Sequence, residues 1–165
     1  MSIEQVRAYL GRWNKAKDII EMGISTATVE LAAAALGVLP ARIAKSISLR
    51  SASNGALMVV TAGDTKLDNR KFRSHFNFKP KMLSPDEALK YTGHAIGGVC
   101  PFALPPEVEV YLDNSMKRFQ TMFPACGSGN SAIELTLAQL EEYSQSKGWI
   151  DVCVPAEPPM IVPLV

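Results

Sequence analysis

From position 93 to position 105 the chain reads Gly-His-Ala-Ile-Gly-Gly-Val-Cys-Pro-Phe-Ala-Leu-Pro. A segment of that make-up can be neither helix nor strand. The adjacent Gly97 and Gly98 widen the accessible backbone conformations and allow another group to come close to the main chain. Pro101 then fixes its own φ and contributes no N–H. Two structures satisfy this composition. One is a rigid loop that offers main-chain N–H and C=O groups to a ligand, and the other is a tight turn between a helix and a strand.

The segments around it are more regular. Val6, Leu10 and Trp13 recur at helical spacing and predict a helix over 3–13. Residues 18–22 form a short apolar run suited to a strand. Ser25 or Thr26 is positioned to cap a helix that reaches Leu36 and stops at Gly37. Pro40 opens a short helix to Lys45. Residues 46–50 alternate in the period of a half-buried strand, and Asn54-Gly55 predicts a hairpin to a partner at 56–62. A helix is expected over 65–75, and a second is marked by Ser84-Pro85-Asp86-Glu87, which combines N-cap, first-turn proline and capping-box glutamate. Strands are expected at 107–113, 121–125, 132–136 and 148–154, a last helix at 137–146, and a proline-rich tail from Pro155. No strand leads into a Gly-x-Gly-x-x-Gly or P-loop motif. Helices come early and strands cluster in hairpins, which predicts one mixed α/β (α+β) domain over 1–165 with a largely antiparallel or mixed sheet.

Charge and cysteine usage narrow the chemistry. A formal net charge of +1 gives no global field toward nucleic acid or membrane, so any anionic partner needs a local patch. The longest strongly apolar run, 29–39, is too short to span a bilayer. Three cysteines at 100, 126 and 153 contain no C-x-x-C pair, and with two histidines they predict neither a structural zinc site nor any other metal centre. An unpaired thiol fits a reducing compartment, and a cytoplasmic protein is expected.

Four groups could carry chemistry. If the strand at 46–50 starts one residue early, Lys45 shares the buried face with Ile47 and Leu49, while Ser46, Ser48 and Arg50 take the other. A lysine there either aims its ammonium into a cleft or runs out to solvent. Cys100 with His94 invites a cysteine–histidine nucleophile, though no third group is visible to orient it, and buried packing is the plainer role for the thiol. Ser128, in Cys126-Gly127-Ser128-Gly129, lacks the first glycine of a nucleophile elbow. Lys66, Arg70 and Arg73 share one face of the helix expected over 65–75, with Lys71, Lys79 and Lys81 close by. That stripe is either a phosphate contact or a solvated helix face.

The stretch Thr92-Gly93-His94-Ala95-Ile96-Gly97-Gly98-Val99-Cys100-Pro101-Phe102 resembles the YbaK-type aminoacyl-tRNA deacylases, free-standing relatives of the editing domain of bacterial prolyl-tRNA synthetase. The likeness extends through Ser25-Thr26-Ala27-Thr28-Val29-Glu30, Gly37-Val38-Leu39-Pro40-Ala41-Arg42-Ile43-Ala44-Lys45, Lys81-Met82-Leu83-Ser84 and Ile133-Glu134-Leu135-Thr136. It implies a mixed, barrel-like sheet surrounded by helices and hydrolysis of the ester between a wrong amino acid and the tRNA terminal adenosine, without a cofactor. Lys45 falls on the family's key lysine. Gly97-Gly98-Val99-Cys100-Pro101, with His94 before it, falls on the loop that cradles the ester, and Val29 and Ala32 fall on pocket positions. The implied partner is aminoacyl-tRNA, with a synthetase as a second candidate. Cys100 stands where relatives commonly carry serine, residues 126–130 lack basic side chains often found there, and Ala125 and Ala132 replace polar positions. These departures bear on the amino acid removed, for which alanine, serine and cysteine are the expected class. A non-catalytic binding module and a hydrolase acting through Cys100 are the competing expectations.

Overall fold

The structure, a computed structural model, describes residues 2–156. Helix α1 (Ser2–Leu10) turns Val6 and Leu10 inward and tightens into a 3₁₀ turn at Gly11–Trp13. After the two-residue strand β1 (Ile20–Glu21) comes α2 (Val29–Leu36). Its N-cap is Thr28, whose hydroxyl accepts from Leu31 N–H at 3.2 Å, and not Ser25 or Thr26. Thr26 is engaged elsewhere: its N–H donates to the Gly129 carbonyl at 2.6 Å. Gly37 closes α2 in the left-handed region at φ +68°, as its type predicts.

The helix expected from Pro40 is only a 3₁₀ turn over Pro40–Arg42, because the chain extends at once into β2 (Ile43–Arg50). Asn54 takes the left-handed turn conformation at φ +62° and leads into β3 (Ala56–Ala62). Strand β4 (Thr65–Leu67) occupies the start of the expected helix 65–75. Helix α3 is Asn69–Phe76, because Asp68 accepts from Lys71 N–H at 2.9 Å and caps it there. Lys66 therefore stands on a strand and not on the helix of Arg70 and Arg73. Helix α4 (Pro85–Thr92) carries the complete Ser84–Glu87 capping box.

Next come β5 (Glu109–Asp113), β6 (Thr121–Pro124), β7 (Ser131–Ala132) and β8 (Leu135–Thr136), then α5 (Leu137–Ser144), β9 (Trp149–Ile150) and β10 (Cys153–Pro155). Two of the expected strands are thus each divided in two. Of the tail expected from Pro155, residues 157–165 lie outside the described residues.

Six strands make one sheet in the order β8-β6-β2-β3-β5-β9, curled into a half-barrel. Pairing is mixed: β2–β3 and β6–β8 are antiparallel, while β2–β6, β3–β5 and β5–β9 are parallel. Small antiparallel pairs β1–β7 and β4–β10 flank it. Both faces of the sheet are covered, so all seven residues of β3 are buried. One face packs Met58, Val60 and Leu112 against Val6 and Leu10 of α1 and Leu140 of α5. The other packs Leu49, Leu57 and Val59 against Phe72 of α3 and Val152. Each such aliphatic or aromatic side chain contributes about 1.5–3 kcal/mol by leaving water. The expectation that Ser46, Ser48 and Arg50 mark a solvent face is corrected: Ser48 is buried, because a second layer of core closes over that side.

Candidate functional site

A gap in the sheet makes the site. β2 has β3 beside it from Ala44 to Arg50, but β6 only at Ile43 and Ala44. The register of β2 decides what its free edge displays. The Ser48 carbonyl accepts from Leu83 N–H at 3.1 Å, and Arg50 N–H donates to the Lys81 carbonyl at 2.9 Å. Even-numbered residues therefore turn their main-chain groups away from β3, as non-hydrogen-bonded pairs of an antiparallel ladder must. Ser46 lies between those pairings and the β6 ladder, so its N–H and C=O face the gap. Its hydroxyl is buried without a hydrogen-bond partner among the described residues. An isolated buried hydroxyl costs about 1–3 kcal/mol, which a ligand with a matching group would offset.

The gap holds a cavity of about 240 Å³. Its β2 wall includes Lys45, Ser46 and Ser48, and the start of α2 adds Thr28, Val29 and Ala32. The glycine-rich loop supplies Ile96, Gly97 and Val99, and the end of β6 with β7 supplies Phe123, Ala125 and Ala132. Met82 and Ile96 stand at the mouth, 60% and 58% exposed.

Lys45 sits on the face of Ile47 and Leu49, as expected from the alternation. It neither runs out to solvent nor stands free in the cavity, because its ammonium donates to the Thr65 carbonyl. That carbonyl is held in place by a hydroxyl network in which Thr65 Oγ1 lies 2.6 Å from Thr61 Oγ1 and donates to the Ala62 carbonyl at 2.8 Å. Burial lowers the Lys45 pKa, and the nearby Cys153, Glu30 and Asp64 pull it back up. An ammonium has three hydrogens, so two remain for a ligand.

The loop is closed at its base by His94. The imidazole is fully buried, with Nε2–H donating to the Phe102 carbonyl at 2.8 Å and Nδ1 accepting from the Ser2 hydroxyl. A carbonyl can only accept, so the proton is assigned to Nε2. Cys100 Sγ lies 3.5 Å from that same Nε2, which carries a hydrogen and cannot act as its base. Burial also pushes the Cys100 thiol up to about 12. These contacts correct the expectation of a cysteine–histidine nucleophile and of His94 and Cys100 as residues lining the pocket. Their side chains lie behind the loop, in the core.

Gly97 needs its missing side chain for conformation, at φ +95°. Gly98 needs it for space, but the neighbour that fills that space is the chain itself. A Cβ there would stand 2.7 Å from the carbonyl carbon of Gly127. Loop and turn thus brace each other across the cavity wall. Gly98 and Pro101 do not line the cavity, and Pro101 faces a separate hollow behind the loop with Tyr9.

Of the residues singled out in the sequence, Lys45, Val29, Ala32, Gly97 and Val99 come together around one cavity, and His94, Gly98, Cys100 and Pro101 form its backing. Ser128 belongs to a turn, where its hydroxyl donates to Ser131 Oγ at 2.7 Å. The sequence reading missed Ser46, Ser48 and Phe123. A serine in a strand is an ordinary solvent-facing residue unless both faces are known to be covered, so no local signal marks it. Among the described residues, no three or more His, Cys, Asp or Glu side chains lie together as a metal site, and no helix is long and apolar enough to cross a membrane.

With this geometry in hand, comparison with known proteins is specific. The family model of the aminoacyl-tRNA editing domain matches residues 25–143. The uncharacterized protein YwhH of Bacillus subtilis is 57% identical over 153 residues, covering 93% of this chain and 98% of its own length. The Enterococcus faecalis protein named "Putative Cys-tRNA(Pro)/Cys-tRNA(Cys) deacylase EbsC" is 26% identical over 109 residues, 66% of each chain. A crystal structure of "a putative trans-editing enzyme for prolyl tRNA synthetase" superposes with a TM-score of 0.82 at 24% identity, over 92% of this chain and 96% of that one.

Proposed function

Because this chain belongs to the aminoacyl-tRNA editing-domain family, we propose that it is a trans-editing hydrolase that removes small amino acids such as alanine, serine or cysteine from mischarged tRNA. The observation that carries this reading is the single cavity with Lys45 on one wall and Gly97 and Val99 on another. The aminoacyl carbonyl sits between them. Water attacks the carbonyl carbon, the bond to the ribose oxygen breaks, and that oxygen leaves with a proton while the free amino acid departs.

An ester is already activated, so positioning and stabilisation of the developing oxyanion carry the catalysis. Lys45 supplies the positive charge, with its two free hydrogens directed at the carbonyl or ribose end. Among the described residues, those lining the cavity carry hydroxyls but no carboxylate or imidazole. The family resemblance implies that the neighbouring ribose hydroxyl of the substrate itself helps with proton transfer. The loop main chain bounds the other side and excludes misplaced esters. Val29, Ala32, Ala125 and Ala132 receive the amino-acid side chain in this reading, and an apolar pocket of that kind discriminates by about 1–3 kcal/mol per methylene.

The test is deacylation of Ala-, Ser-, Thr- and Cys-charged tRNA. At least one should be hydrolysed, and Lys45→Ala should lower kcat by about 10²-fold or more while the melting curve stays cooperative. A full panel without turnover would overturn the proposal. A cavity lined, among the described residues, by hydroxyls and one lysine also suits a second reading, a synthetase-associated binding module, which predicts saturable aminoacyl-tRNA binding and no Lys45-dependent hydrolysis.

A further inference from the structure

Among the described residues, six basic side chains are neutralised by a carboxylate within 4.0 Å: Arg7, Lys15, Arg42, Arg50, Lys71 and Arg118. Lys66, Arg70, Arg73, Lys79 and Lys81 are different. All five are exposed, and none has an acidic partner among the described residues. Three acids of the same region are already engaged. Asp68 caps α3, Asp151 holds Lys71 at 2.8 Å, and Asp64 holds Arg118 at 2.6 Å. Arg12, Lys17, Lys90, Lys117 and Lys147 also lack a carboxylate partner among the described residues but are spread along the chain, whereas Lys66, Arg70, Arg73, Lys79 and Lys81 fall within residues 66–81, on α3 and the two segments that flank it in sequence.

That face adjoins the cavity at two points. Lys66 follows Thr65, whose carbonyl takes the Lys45 ammonium. Lys81 precedes Met82 at the cavity mouth, and its carbonyl pairs with Arg50 on the β2 edge. On α3 itself, which lies between Lys66 and Lys81 in sequence, a groove of about 620 Å³ is lined by Asn69, Arg70, Arg73, Ser74 and Asn77. Each of these side chains can donate a hydrogen bond and none is negative, which suits phosphate oxygens.

We propose that the Lys66–Arg70–Arg73–Lys79–Lys81 face is the docking surface for the phosphodiester backbone of the tRNA whose charged end enters the cavity. The inference rests on the deacylase reading for the direction of approach, but its own observable is RNA affinity. Phosphate contacts release counterions, so binding through this face weakens with salt, by a log–log slope of about 0.7–0.9 per contact.

The experiment measures fluorescence anisotropy of uncharged tRNA with the full-length protein and the variants Arg70→Gln/Arg73→Gln and Lys79→Gln/Lys81→Gln. Each pair should weaken binding by roughly tenfold near 0.1 M salt and reduce the salt slope by about 1–2. Lys17→Gln/Lys147→Gln, which removes two exposed cations elsewhere, should do neither. In parallel, hydrolysis of a 3′-aminoacyl-adenosine ester should be unchanged in the α3 variant, while KM for aminoacyl-tRNA rises. Unchanged tRNA affinity in both variants, or an equal loss in the Lys17/Lys147 control, overturns the surface whether or not the ester is cleaved. Loss of tRNA affinity in a protein that cleaves no ester supports the surface and refutes the deacylase reading instead.

Discussion

Gly98→Ala tests whether the loop and the 127–128 turn brace the cavity wall. The added Cβ would lie 2.7 Å from Gly127 C, 2.8 Å from Gly127 O and 2.8 Å from Ser128 N. Non-bonded carbons rest at about 3.5–4.0 Å, so the two segments must part by roughly 1 Å. All three neighbours are main-chain atoms, so no rotamer change relieves the overlap. Overpacking of this kind costs about 1–3 kcal/mol. For a protein of this size that is a Tm lower by about 2–12 °C. Moving a substrate-positioning wall by about 1 Å can lower turnover by about 10²-fold. Gly37→Ala is the matched control: it meets nothing within 4 Å and carries only left-handed strain at φ +68°, at the end of α2 away from the cavity. It should lower Tm by a comparable amount and leave deacylation near wild type. Thermal melts and single-turnover deacylation decide the matter. Wild-type turnover in Gly98→Ala, or equal losses of turnover in the two variants, would refute the bracing argument.

Two further outcomes follow from the backing of the loop. Cys100→Ser should retain near-wild-type kcat, since a thiol pushed up to about 12 has essentially no thiolate at neutral pH; a 10²-fold loss would reinstate the cysteine nucleophile. Burial holds the His94 pKa below its ordinary 6.5. On acidification the unfolded chain binds this proton before the folded one, so unfolding free energy should fall as pH drops from 6.5 through the folded value. Denaturant titrations on both sides of 6.5 check this against His94→Gln, in which that part of the pH dependence should vanish.

Where neighbours in sequence decide the structure, the chain was legible. Ser84-Pro85-Asp86-Glu87 caps α4, Gly37 ends α2 in the left-handed region, and Asn54-Gly55 turns β2 into β3. Lys45 was placed on the correct face of its strand by alternation alone. Local pattern failed where several residues compete for one role. Thr28 takes the α2 cap because Thr26 is bound to Gly129, and α3 starts only after Asp68 because residues 65–67 of the expected helix are paired in β4.

The left-handed helix stop at Gly37, the Ser84–Glu87 capping box and the alternation along β2 depend on residues within a few positions of one another, and those the sequence determined by itself. The cavity does not arise that way. It exists because β6 leaves β2 after Ala44, because Gly98 rests on Gly127, and because Thr65 offers a carbonyl to Lys45. Each of these is a contact between segments about twenty to eighty residues apart, set by how the covered faces of the sheet pack together. Only the tertiary structure could decide which glycine faces a ligand and which faces the chain itself.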